Sequence, residues 1–342
     1  MLLIASPNPL IHVAARQRQM QLTKPAGSLG KLEEIACRLA ACRNLLRPAP
    51  LRPAVTVFAA DHGVAHAGVS AYPRAVTAAM MANFVGGGAA IAVLARAIQA
   101  PLELVDVGVD ADLSALAIIH AKVAAGSRDL RFEDALTAAD LALAKEVGRA
   151  AARRAKEAGA TLLIGGEMGI GNSTAAAALT AKLLGLDAAT ATGRGTGVDD
   201  AGLERKRQAV TQALIRCQHH QRDEALAALG GLEIAALSGF YLEGARLGLP
   251  ILLDGFITTS AALAACEEDP AVRPWLFASH CSAEKAHLLA LHALGLEPVL
   301  DLGLRLGEAS GAALAFPVLD LALRLLADMA TFADAGVPGG DR

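Results

Sequence analysis

Six short apolar runs recur along the chain, at 54–60, 102–107, 161–164, 250–253, 275–279 and 298–302. They are continuously apolar rather than alternating, as expected of parallel strands covered on both faces. Helical stretches lie between them, so the order predicts a doubly wound α/β domain. Residues 1–45 read as amphipathic helices, one of them capped by Ser28 and carrying Leu29, Leu32 and Ile35. The proline-rich connector 46–53 marks a boundary. Residues 312–335 form an apolar, helical C-terminal run, and the last residues look frayed.

The segment 75–95 carries no charge and is long enough to span a bilayer. It also holds Thr77, Asn83 and the triplet Gly86, Gly87 and Gly88, which predicts two buried helices joined by a glycine turn instead. In a doubly wound sheet, ligands bind beyond the carboxyl ends of the strands. The residues expected just past those ends are Asp61-His62-Gly63, Asp106-Val107-Gly108, Gly165-Gly166-Glu167, Asp254-Gly255, Ser279-His280, and Gly303 onward to Arg305 and Glu308. Six polar ends in register predict one composite site.

Composition narrows the ligand. Of 342 residues, 54% are hydrophobic and only 3% aromatic, so small apolar residues supply the core and helices should pack closely. Net charge is -3 and no Lys/Arg run stands out, which disfavours a nucleic-acid polymer as partner. The five cysteines are irregularly spaced with no CxxC, a pattern of reduced thiols in a cytosolic protein. Cys217, His219 and His220 read as solvated surface rather than a metal site. No signal peptide is visible at 1–5, so a cytoplasmic location is expected.

Two glycine clusters carry candidate anion chemistry. In GEMGIGNST, Gly169-Ile170-Gly171 precedes a helix start whose N–H groups could hold one phosphate, helped by Asn172, Ser173 and Thr174. A tight turn capped by Asn172 or Ser173 reads equally well from the residues alone. Neither a Walker A motif nor a complete GxGxxG is present. In TGRGTG, Gly193, Gly195 and Gly197 precede a helix carrying Lys206, which can reach back to a loop-held phosphate. Arg205 and Arg207 read as an ordinary basic face. Asp61 and His62 read as polar scaffolding; His62 and His66 lack a third metal ligand. SHCSAEK has no nucleophile elbow, leaving Ser282 as a helix cap or a phosphate donor. Glu308 lies between Gly307 and Gly311 before an apolar helix, where burial would raise its pKa and suit it to act as a base near neutrality.

The stretches KPAGSLGKLE, ADHGVA..GVS.YP..VT, GGEMGIGNST, GRGTGVDD, LLDGFITTSAALAA, SHCSAEK and RLGEASGAALA occur in that order from Lys24 to past Ala315. Together they resemble the nicotinate-nucleotide:dimethylbenzimidazole phosphoribosyltransferases of cobalamin lower-ligand assembly. The resemblance implies a homodimer with a Rossmann-like parallel sheet flanked by helices (46–311) and a small helical domain built from 1–45 and 312–342. It implies phosphoribosyl transfer from nicotinate mononucleotide to dimethylbenzimidazole, with inversion at the anomeric carbon, and no metal or other cofactor. By motif, Glu308 matches the general base and Glu167 a second active-site acid. Gly169, Gly195, Lys206 and Ser282 match the phosphate-holding positions, and the resemblance allows Ser282 to reach in from a neighbouring subunit. Tyr72, Met80 and Leu306 are expected to wall the base pocket. Family members often carry glutamine where this chain has Ala78-Ala79-Met80. A dinucleotide-dependent oxidoreductase and a non-catalytic nucleotide-binding module are the competing readings.

Overall fold

The computed structural model describes residues 3–338. Its sheet contains β1 (Pro53–Ala60), β2 (Leu102–Gly108), β3 (Ile119–His120), β4 (Leu162–Met168), β5 (Ile251–Leu253) and β6 (Leu276–Ala278). The spatial order is β3-β2-β1-β4-β5-β6, and every pairing is parallel. This is a doubly wound α/β fold. The strand order reverses between β1 and β4, so the loops after these two strands splay apart and open a crevice. All eight residues of β1 are buried, consistent with its unbroken apolar run.

Two expectations about strands fail. Residues 298–302 form no strand; only Leu300 bridges to His280. The two-residue β3 was not anticipated, because Ile119 and His120 are exposed and carry no apolar run. The strands also run further than expected. β4 continues through Gly165, Gly166 and Glu167, placing the acid on the strand rather than in the turn. β2 likewise takes in Gly108, one residue past its apolar run.

The glycines in β4 explain its length. Neighbouring residues of a strand point to opposite faces. A Cβ on Gly165 would lie 2.7 Å from Leu237 Cδ2 in helix Leu232–Arg246, and one on Gly166 would lie 2.7 Å from the Ala309 backbone nitrogen. The central strand is thus pressed from both sides. Glycine also lets helices meet: a Cβ on Gly148 would fall 1.8 Å from the Ala236 carbonyl oxygen, so Ala138–Glu157 and Leu232–Arg246 touch backbone to backbone. The alanine-rich composition has the same use in helix Asn172–Leu184, where residues 174–181 are all buried.

The chain ends meet. Helices Pro9–Gln19, Lys31–Arg43 and Ser310–Asp328 bury Ala15, Ala36, Cys37, Ala40, Ala322 and Leu326 together, while Leu39 and Leu319 join the main core. The second helix begins after Gly30, whose φ is 56°, so Ser28 does not cap it. The frayed tail expected beyond residue 338 lies outside the described residues. The uncharged stretch forms helices Ala75–Val85 and Ala90–Ala97, separated at Gly86, Gly87 and Gly88. They are less buried than expected: in the first, only Thr77, Met81 and Phe84 are buried, and Val85 and Val93 face outward. By length and composition, 75–97 and Ser310–Asp328 could each cross a membrane; two-thirds of the latter's apolar window is packed inside the protein.

Candidate active site

A cavity of about 320 Å³ opens beyond the carboxyl ends of β4, β5 and β6, and Gly169, Gly195, Ser282, Glu167 and Glu308 all line it. A larger cavity of about 490 Å³ lies at the opposite end of the sheet, against the first residues of β1. It holds none of the motif residues, and its acids are already paired: Arg154 with Glu103, Arg324 with Asp320.

The first glycine turn is anchored from below. Asp61 accepts from Thr77 Oγ1 at 2.8 Å and from the Asp110 N–H at 2.8 Å. Thr77 Oγ1 in turn accepts the Ile170 N–H at 3.2 Å. Gly171 then turns the chain at φ 99° into the helix that begins at Asn172. Behind it, His62 Nε2 and Glu233 Oε1 form a fully buried hydrogen bond at 2.7 Å. Asp61 and His62 are therefore scaffolding, as the sequence indicated. His66 contacts Arg74 instead.

The second glycine loop closes onto the first. Lys206 Nζ donates to Ser173 Oγ at 3.0 Å, and a Cβ on Gly195 would sit 2.6 Å from both atoms. Gly195, at φ 53°, is thus stacked on a cation and a hydroxyl. Lys206 is 1% exposed, and burial lowers its pKa to about 8. Among the described residues it has no ion-pair partner within bonding distance. A buried, unpaired ammonium is costly unless an anion joins it. The Ser282 N–H donates to His287 Nδ1 at 2.9 Å, which leaves His287 Nε2 as the donor to Thr259 Oγ1 at 3.0 Å. Burial lowers the His287 pKa to about 3, so the ring is neutral.

The third part is acidic. Glu308 and Ala309 have φ of 62° and 68°, the left-handed region that costs a non-glycine residue of order 1–3 kcal/mol each. Asp254 holds this turn by accepting the Ala312 N–H at 2.9 Å. Burial raises the Asp254 pKa to about 7, against backbone N–H bonds that lower it. Glu308 is 6% exposed, its Oε2 has no hydrogen-bond partner among the described residues, and burial raises its pKa to about 7. Glu167 is raised well above the usual range, first by burial and then by Asp254, Glu233 and Glu308; Asn172 donates to it. A Cβ on Gly307 would lie 2.3 Å from Glu167 Oε1, so that glycine lets the two acid-bearing segments meet. Burial and the neighbouring carboxylates thus favour the protonated form of Glu167, while Glu308 is poised to exchange a proton near neutrality.

Proton linkage gives a test. Because its folded pKa is raised from 4.5 to about 7, Glu308 binds more proton in the folded than in the unfolded chain between those values. Its contribution to stability is fully present below about 4.5 and is lost as pH rises through 7. Neutral His280 and His287, lowered to about 4 and 3, act in the opposite sense. The effect is therefore read as a difference. Glu308→Gln should gain stability relative to the parent on going from pH 5 to pH 8. A constant gap between their urea midpoints would contradict it.

Tyr72 and Leu306 line the cavity, whereas Met80 does not; it is half-buried on helix Ala75–Val85, packed against the core. Ser282 lines the cavity of its own chain. Cys217 is not surface: it is buried, and its thiol, Asp134 and His220 lie within 4.8 Å of one another. Arg216 already holds Asp134 at 2.7 Å. Arg205 takes a surface role, donating to the Gly68 carbonyl at 3.0 Å. Sequence reasoning passed over Glu284, Phe256 and Thr196, which also line the cavity. All three lie inside quoted stretches, Glu284 in SHCSAEK, Phe256 in LLDGFITTSAALAA and Thr196 in GRGTGVDD.

An anion cradle made of two glycine loops and a buried lysine, facing acids held near neutrality, defines a nucleotide-dependent group-transfer enzyme. The comparisons agree. A family model described as "Phosphoribosyltransferase" matches residues 4–337. A protein of Chromobacterium violaceum called nicotinate-nucleotide–dimethylbenzimidazole phosphoribosyltransferase is 60% identical over 328 residues, covering 95% of each chain. One of the same name from Pseudomonas putida is 52% identical, over 94% of this chain and 93% of its own. The crystal structure of CobT from Thermus thermophilus matches with a TM-score of 0.94 at 50% identity, covering 97% of this chain and all of that one. The chain belongs to the nicotinate-nucleotide–dimethylbenzimidazole phosphoribosyltransferase family and is a pentosyl-transferring enzyme.

Proposed function

We propose that the protein transfers the phosphoribosyl group of nicotinate mononucleotide to 5,6-dimethylbenzimidazole or a related base, giving nicotinate and α-ribazole 5'-phosphate. The observation that carries the reading is the pairing of unlike groups around one cavity. A buried ammonium with no bonded counter-ion among the described residues lies under glycine-rich N–H donors, and a carboxyl held near neutral pH lies in the same cavity wall. The phosphate binds at Gly169, Gly195, Lys206 and Ser282. Loss of nicotinate leaves an oxocarbenium-like anomeric carbon. A benzimidazole nitrogen attacks from the opposite face, and Glu308 takes the proton released from its N–H. Glu167, in the same cavity wall, faces the ribose. Atoms and charge balance without a further cofactor, and positioning supplies much of the acceleration.

Tyr72 and Leu306, 55% and 58% exposed in the single chain, are the apolar surfaces we assign to the incoming base. Their exposure, with that of Val85, Val93 and Leu288, supports a homodimer. We further assign 46–311 to the catalytic core, 1–45 and 312–342 to a small helical domain, and the protein to the cytoplasm. Incubating nicotinate mononucleotide with a panel of free bases, and separating products by chromatography, should yield an α-nucleotide with dimethylbenzimidazole. No product with any azole would exclude the activity, and a monomer in sedimentation velocity would exclude the dimer.

A further inference from the structure

Glu284 occupies the phosphate cradle of its own chain. Its Oε1 accepts the Gly195 N–H at 2.8 Å. Its Oε2 lies only 2.1 Å from where a Cβ on Gly193 would be, so the carboxylate fills the space that this glycine leaves empty. The Glu284 carboxylate also acts electrostatically on Lys206, opposing the effect of burial. The Glu284 N–H donates to Ser282 Oγ at 3.4 Å. Three groups assigned to the nucleotide phosphate are therefore influenced or engaged by one residue. Glu284 stands at the N-terminus of helix Lys285–Leu294, yet its side chain caps no N–H of that helix. It reaches instead to a loop 89 residues away.

Two anions cannot share these donors. We propose that Glu284 is a specificity-determining residue: its carboxylate holds the 193–197 loop in the free protein and must be displaced by the nucleotide phosphate. The proposal rests on the nucleotide reading given above. A free anion has only its charge with which to displace an intramolecular competitor. A nucleotide also places its ribose and base in the same cavity, and those contacts drive the exchange. Glu284 thereby excludes inorganic phosphate from a site built of good phosphate donors.

The test uses Glu284→Gln and Glu284→Ala, with calorimetric titration of inorganic phosphate and of phosphate-free nicotinate riboside. Both variants should bind inorganic phosphate about tenfold more tightly than the parent, the scale of one charge-assisted hydrogen bond. Riboside binding should be unchanged. Unaltered or weaker phosphate binding in the variants would overturn the proposal and make Glu284 only a builder of the loop. Transfer by the parent protein, assayed in parallel, separates the two ideas. A parent that transfers normally while its variants bind phosphate no better loses this proposal alone; a parent that transfers nothing loses the function itself.

Discussion

Glu308→Gln is expected to lower turnover by about 10²–10⁴-fold, the usual contribution of a positioned general base, while leaving the affinity for nicotinate mononucleotide unchanged. The amide keeps the size of the carboxylate, so the left-handed turn at 308 and 309 should survive. Only the capacity to accept a proton is removed. The parent should show turnover rising with pH through about 7, the value to which burial brings this carboxyl, and the variant should lose that limb. Steady-state rates across pH 5.5–9 with equilibrium nucleotide binding would decide it. A variant with full turnover means that the proton leaves by another route.

The second large effect concerns a residue that touches no substrate. In Gly166→Ala, the new Cβ would lie 2.7 Å from the Ala309 nitrogen and 2.8 Å from the Glu308 carbonyl carbon. Both are backbone atoms, so no side-chain rotation relieves the clash. Overpacking of this kind costs about 1–3 kcal/mol. The movement it forces falls on the segment carrying the base, and a displacement of about 1 Å can cost on the order of 10²-fold in rate. We expect a melting temperature lowered by several degrees, together with a fall in turnover larger than any change in nucleotide affinity. Gly185→Ala is the control: it strains a left-handed position, at φ 67°, but its new Cβ meets open space. It should lose stability and keep its turnover. If the two variants behave alike, the contact between β4 and the Glu308 turn does not govern catalysis.

Much of this site was legible in the chain because its chemistry is written in short, local runs. Glu308 was found from flanking glycines and a following apolar helix, and Lys206 from its distance to a glycine loop. The parallel sheet followed from six apolar runs, five of which form strands. What escaped depends on contacts between distant segments. Residues 298–302 look like a strand, but Val299 and Leu300 alone reach backbone partners, at Ser279 and Cys281, and these make an isolated bridge rather than a ladder. Glu167 seemed to sit in a turn because paired glycines usually end a strand; here they admit neighbours on both faces. Met80 looked like a pocket wall, yet the helix turns it toward the core. Cys217 seemed solvated because Asp134, far away in sequence, could not be placed beside it. The hold of Glu284 on Gly195 likewise joins segments that nothing local connects.

The depressed basicity of Lys206 has a calorimetric consequence. At pH 8 this side chain is about half protonated in the free protein. Docking a dianion beside it restores its ordinary affinity for hydrogen ions, so complex formation should draw roughly half an equivalent from the medium. The observed heat will then depend on the ionisation enthalpy of the buffer, and its slope across several buffers counts the net protons taken up, the lysine's among them.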